Sequence, residues 1–234
     1  MRVAIVQSNY LPWKGYFDLI ASVDAFVLLD SAQFTKRDWR NRNRIKTAQG
    51  LRWLSVPVTT RGRFAQSIRE TRVSDRTWPE RHWRRIEAAY RGAGHFCDFG
   101  PMLADALREA DAATLSEVNL RLLRRVCSWL GIGTPLLPDA DLAEGGRASE
   151  RLLQVCLRLG ADTYVSGPRA RDYLDVGLLA NAGVRVEWFD YGGFPPYPQL
   201  HGGFVHEVSI VDLLLNEGPA ARRFLKARPG ALAS

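Results

Sequence analysis

Residues Arg2 to Asp30, RVAIVQSNYLPWKGYFDLIASVDAFVLLD, decide the fold class. Arg2 to Gln7 is a short β-branched run that reads as a buried strand. Pro12 and Gly15 mark a tight loop, and the apolar positions Tyr16, Phe17, Leu19 and Ile20 suit the first turns of a helix. Ala25 to Leu29 is a second apolar strand, ending at Asp30. Strand, loop, helix and strand make a βαβ unit, for which a right-handed parallel crossover is expected. Ligands of such units collect at the carboxyl ends of the strands. Gln7-Ser8-Asn9 and Asp30-Ser31-Ala32-Gln33 both stand there, so the two polar loops are expected to line one crevice.

The chain beyond Asp30 is dense in fixed charge: DSAQFTKRDWRNRNRIK runs to Lys46. From Asp38 onward the residues alternate, with Arg40, Arg42, Arg44 and Lys46 on one parity and Trp39, Asn41, Asn43 and Ile45 on the other. If extended, the segment presents a comb of cationic groups on one side and two amides with a Trp on the other. Guanidinium forks suit the bidentate recognition of phosphate or carboxylate; the competing reading is a solvated edge strand. Leu51 to Val58 is a further strand, and Gln49-Gly50 a turn that joins it to the comb as a hairpin.

Downstream, Trp78 to Tyr90 reads as a helix with Pro79 in its first turn. Helical periodicity continues from about Pro101 to Ala110, from Leu115 to Leu130 with Gly131 as its C-cap, and from Ser149, its expected cap, to Leu159. The segment of about 78–160 is therefore mainly helical, within one α/β domain covering 1–234. Ala161 to Ser166 and Val184 to Trp188 are strands separated by turn or helix, a second β-α-β pattern. Tyr191 to His206 is too rich in Gly, Pro and aromatics for a regular element and reads as a structured loop before a final helix near Ser209 to Leu215.

The 234 residues are 46% hydrophobic, enough for a substantial core. No apolar run reaches the roughly 20 residues of a membrane span, and no leader pattern follows Met1, so a cytoplasmic protein is expected. Cys97, Cys127 and Cys156 are scattered, which speaks for small buried residues rather than a disulfide framework or metal site. A net charge of +7, carried by arginine far more than lysine, favours anionic partners: nucleotides, sugar phosphates, nucleic acid or a membrane surface. No zinc-finger, helix-turn-helix or RNP pattern accompanies it.

Two resemblances add to this. The loop Leu11-Pro12-Trp13-Lys14-Gly15-Tyr16 after the first strand resembles that of the HIGH-type nucleotidylyltransferases, with Lys14 and Tyr16 standing near the places of both motif histidines. That likeness implies a Rossmann-like (nucleotidylyltransferase or HUP-like) parallel sheet with flanking helices and a helical C-terminal portion. Across nearly the whole chain, QSNYLPWKGYFDLI, RNRNRIK, LSVPV, SGPRARDYLD and YPQLHGGFVHEVSIVDLLLNEGP occur in the same order as in the WbqC-like family, which the chain resembles; Ser8 departs from the family's usual Pro. The family's association with surface-polysaccharide and natural-product pathways implies a biosynthetic transferase or ligase, with acyl or aminoacyl transfer to an amine favoured. The alternatives are nucleotidyl transfer from ATP or CTP and a non-catalytic nucleotide- or RNA-binding module.

On these grounds His201 and His206 are the candidate general bases, with Asp30 and Tyr16 as further catalytic candidates. Gln7, Asn9, Tyr10, Trp13, Lys14 and Gln33 from the two loops are expected to bind substrate, as are Arg40, Asn41, Arg42, Asn43, Arg44 and Lys46 from the comb. Ser166, Arg169 and Asp172 are expected to close an anion site from the second half. A metal site of His201, His206 and Glu207 lacks the spacing to be assigned, and no P-loop or GxSxG elbow is present. The expected partner is a phosphate- or carboxylate-bearing small molecule, with a nucleotide, an activated acyl or aminoacyl donor, or aminoacyl-tRNA as the candidate forms.

Overall fold

Arg2–Val6 forms a strand, β1, and Ala25–Leu28 a second, β2; they run parallel on either side of helix α1, Lys14–Ala21. The structure is a computed structural model that describes residues 1–143, 145–146 and 148–227. After β2 come the hairpin strands β3 (Arg42–Thr47) and β4 (Gly50–Ser55), then helices α2 (Trp78–Tyr90), α3 (Phe96–Glu109) and α4 (Leu115–Trp129). Strand β5 (Leu136–Pro138), helix α5 (Ser149–Leu159), strand β6 (Thr163–Ser166), helix α6 (Val176–Asn181), strand β7 (Arg185–Trp188) and helix α7 (Ile210–Glu217) follow.

Five strands make one parallel sheet in the order β5-β2-β1-β6-β7. From β1 the chain winds outward through β2 to β5, returns to the other side of β1 and winds outward again through β6 to β7. The fold is thus α/β and Rossmann-like, with a switch of winding direction between β1 and β6. Both sheet faces are covered, as a parallel sheet requires. Ala4, Phe26 and Leu28 join a core with Phe17, Leu122 and Val126, while Val3, Ile5, Ala25 and Val27 join one with Val155, Cys156 and Leu179. The hairpin β3–β4 is a separate two-stranded sheet.

Several boundaries differ from the sequence expectations. Helix α3 begins at Phe96 and carries Pro101 inside it. Ser149 does not cap α5: its hydroxyl accepts from the backbone N–H of Asp175 at 2.9 Å, and Ala148 stands at the cap position. Cys97 is exposed, whereas Cys127 and Cys156 are buried. The three-residue strand β5 was not expected; its pairing with β2, not its own pattern, makes it a strand. Among the described residues no helix is long and apolar enough to cross a membrane.

Candidate functional site

At the carboxyl ends of β1, β2 and β6 a crevice of ≈ 1180 Å³ opens over the switch point. Gln7, Asn9, Trp13 and Tyr16 line it from the first loop, Ser31 and Ala32 from the second, and Ser166 and Arg169 from beyond β6. The two polar loops thus face one crevice.

The end of β1 is held from several sides. Tyr16 donates its hydroxyl to the Gln7 carbonyl at 3.0 Å, and Arg40 donates Nη1 to the same carbonyl at 3.4 Å and to Asn9 Oδ1. Burial raises the Tyr16 phenol well above its ordinary value, so it is a hydrogen-bond donor here. Asp30 lies behind the crevice wall, 3% exposed, accepting from the Ser8 N–H at 2.9 Å and from the Ser116 hydroxyl of α4. Burial raises its pKa against the lowering effect of those hydrogen bonds. Asp30 therefore ties β1, β2 and α4 together and neither faces the crevice nor pairs with the arginines. The α4 terminus that carries Ser116 is fixed by a capping box of Thr114 and Glu117. Asn119, one turn on, donates to the Ser8 hydroxyl and to the Arg40 carbonyl, both at 2.9 Å.

The expected comb does not form one face. Alternation holds only within a strand, and β3 begins at Arg42; Arg40 sits in the preceding turn and enters the crevice alone. Arg42 and Arg44 stay outside on the hairpin, their guanidinium carbons 4.0 and 5.6 Å from the Trp53 ring centre. Arg44 also pairs with Glu207 at 2.8 Å. Lys46 is buried and donates to Gln199 Oε1 at 3.1 Å and to the carbonyls of Gly202 and Gly203. The amides are clamps: Asn41 donates to the Val56 carbonyl at 2.8 Å, and Asn43, which borders the crevice, donates to the carbonyls of Tyr10 and Leu11 at 3.2 and 2.9 Å. Leu11 has φ 39°, a left-handed conformation uncommon outside glycine, and the Ser209 hydroxyl bonds its carbonyl as well, at 2.8 Å. RNRNRIK and HEVSI thus converge on one strained loop residue.

Other expected site residues lie elsewhere. Lys14 is buried, donates to the Pro195 carbonyl and sits 5.0 Å from the Tyr197 ring centre; burial lowers its pKa to about 8. Tyr10 is buried against His82, and Gln33 donates to the Phe64 carbonyl at 2.8 Å. His201 bonds the Ala89 carbonyl at 2.7 Å through its Nε2, and His206 stacks edge-on against Phe204; neither lines the crevice. Burial and the nearby Lys14 lower the His206 pKa. Asp172 is exposed and outside the crevice. Among the described residues no cluster of three His, Cys, Asp or Glu is placed to hold a metal ion.

The crevice also contains groups the sequence did not single out. Arg151, in the first turn of α5, is gripped by the buried Asp139 through Nε at 3.1 Å and Nη2 at 3.0 Å, and Asp139 also accepts from the Ser31 N–H at 3.2 Å. Trp39, Tyr173 and Tyr191 supply aromatic walls, and Glu207 is a carboxylate at the border. A positional signal for Arg151 exists: a helix that follows a parallel strand begins at the strand's carboxyl end, so its first turn faces the crevice. Gly15 has a related role, since a Cβ there would stand 2.3 Å from the Trp13 ring. Only glycine lets that indole fold back over the start of α1.

The WbqC-like protein family model matches residues 7–224. The uncharacterized protein Rv1507c of Mycobacterium tuberculosis is 51% identical over 227 residues, covering 96% of this chain and 97% of its own. No solved structure matches the chain.

Proposed function

This chain belongs to the WbqC-like protein family, and from that premise we propose a biosynthetic transferase whose crevice holds the phosphate-bearing end of an activated acyl or aminoacyl donor and passes the acyl group to an amine. The observation that carries this proposal is the set of three guanidinium groups, from Arg40, Arg151 and Arg169, around one aromatic-walled crevice at the switch point. Guanidinium forks bond phosphate oxygens bidentately, and aromatic faces take a planar base or ring. A drug-sized ligand fills roughly 300–1,000 Å³. The ≈ 1180 Å³ here leaves room for donor and acceptor together.

In the transfer, the amine lone pair forms the new C–N bond at the donor carbonyl, and the carbonyl electrons collect on oxygen. They then return and expel the leaving oxygen or sulfur with its bonding pair. Glu207, the carboxylate on the crevice border, is assigned the proton shed by the amine, which passes on to the leaving group. Arg40, fixed by Gln7 and Asn9, is assigned the charge that develops on the donor.

Arg169→Ala tests this, because Arg169 is exposed and its loss leaves the core intact. A panel of nucleoside phosphates and acyl-CoA is expected to contain a compound that raises the parent's melting midpoint by roughly 5–10 °C at a hundredfold excess over Kd. Arg169→Ala is expected to lose most of that shift. Equal shifts in parent and variant, or none with any phosphate-bearing compound, defeat the proposal.

A further inference from the structure

Outside the crevice, the hairpin carries a ladder that the transferase chemistry does not use. Arg44 lies directly opposite Trp53 in the β3–β4 register, Arg42 stacks on the same indole, and Trp39 leans on it at 5.4 Å between ring centres. Both indoles are 37% exposed. Packing of two large aromatic faces among cations at a surface costs apolar exposure that a merely solvated strand avoids. Of these two guanidinium groups, Arg42 donates to the Arg37 carbonyl and Arg44 to the Glu207 carboxylate and carbonyl, which holds both against the indole face. The turn leading to Trp39 adds Arg37 and Lys36, and Lys36 lies 5.1 Å from the ring centre of Phe64, which is 80% exposed. The nearby carboxylates are Asp38, 3.6 Å from Arg40, and Glu207, paired with Arg44.

Alternating cations and exposed aromatic rings match the two repeating features of an unpaired polynucleotide, phosphates and base faces. A duplex hides its base faces, and a single nucleotide offers one base face where the ladder presents two indoles. The ladder is also continuous with the crevice, because Trp39 belongs to both and Arg40, next to it in the chain, lines the crevice. We propose that this face binds single-stranded RNA and guides its terminal nucleotide past Trp39 into the crevice. The proposal rests on the transferase reading, since it makes the acyl donor an RNA end.

The test is fluorescence anisotropy of the full chain with a labelled 12-nucleotide single-stranded RNA, the same RNA as a duplex, and heparin as a charge-only competitor. Single strands are expected to bind more tightly than duplex, with Trp53→Ala weakening them about tenfold and Trp53→Phe restoring most of that. Arg42→Gln is expected to reduce the salt-dependence slope by about 0.7, the loss of one phosphate contact. Arg84→Ala and Arg124→Ala, exposed positions on α2 and α4, serve as controls and are expected to leave binding unchanged. Equal affinity for heparin and RNA, insensitive to Trp53→Ala, overturns the proposal, as does loss of RNA binding in the two controls. If RNA does not bind while a nucleotide or acyl-CoA still gives an Arg169-dependent shift, the RNA face fails and the transferase reading stands. If neither is seen, both fail.

Discussion

Tyr10 and His82 share a 2.7 Å hydrogen bond beneath the first loop, and the other histidine nitrogen, Nε2, lies 3.1 Å from the Ser55 carbonyl. A carbonyl only accepts, so Nε2 carries the proton and Nδ1 accepts from the Tyr10 hydroxyl: the ring is neutral. Burial lowers its pKa to about 4. The unfolded chain therefore binds a proton below about pH 6.5 that the folded chain refuses, and stability is lost as pH falls from 6.5 toward 4. The loss attributable to this residue is on the order of 3 kcal/mol. Urea titrations at several pH values check it: the difference in stability between the parent and His82→Gln is expected to shrink by about that amount across the window. A constant difference would mean that the histidine is charged in the fold.

At the scale of elements, the loop from Gly192 to His206 is held by two buried ammonium groups, Lys14 through Pro195 and Lys46 through Gln199, Gly202 and Gly203. Beneath it, Asp212 accepts from the Tyr90 hydroxyl at 2.7 Å and the Tyr197 hydroxyl at 2.9 Å. Lys46→Met strands the acceptors and is expected to cost about 2–4 kcal/mol. Amide exchange across 199–206 is expected to accelerate before any change in β1; uniform exchange in the variant would remove Lys46 from this role. The regular elements were legible because their periods are long: α2, α4 and α5 start and stop within a residue of the apolar stripe. The short pieces were not, and β5 owes its conformation to a neighbour 110 residues earlier in sequence. The comb failed for a related reason, since parity carries a side-chain direction only along continuous strand, and the turn at Trp39–Arg40 resets it.

For the molecule as a whole, Asp18 of α1 accepts the backbone N–H groups of Lys226 and Ala227, each at 2.7 Å, while itself only 1% exposed. Deleting residues 225–234 strips that carboxylate of both N–H donors and leaves it only the nearby Arg222 charge, at an expected cost of about 2–4 kcal/mol. Adding Asp18→Asn to the deletion is expected to recover part of the loss, which urea midpoints of the single and double variants measure; simple additivity would show that Asp18 is indifferent to the tail. The crevice position was readable from β1 and β2 alone, because two adjacent parallel strands define the end where ligands gather. Its arginines were not, because Arg151 and Asp139 meet Ser31 only through tertiary folding. The same non-local closure has a consequence in time. β1 leaves the ribosome long before one of its two flanking partners, β6, which places Thr163 beside Arg2. Until the roughly 160 residues between the two strands have been synthesised, its second edge stays unpaired and open to other chains. A nascent chain stalled before β6 is thus an aggregation hazard, and the crevice is complete only once β6 and the residues that follow it have been made.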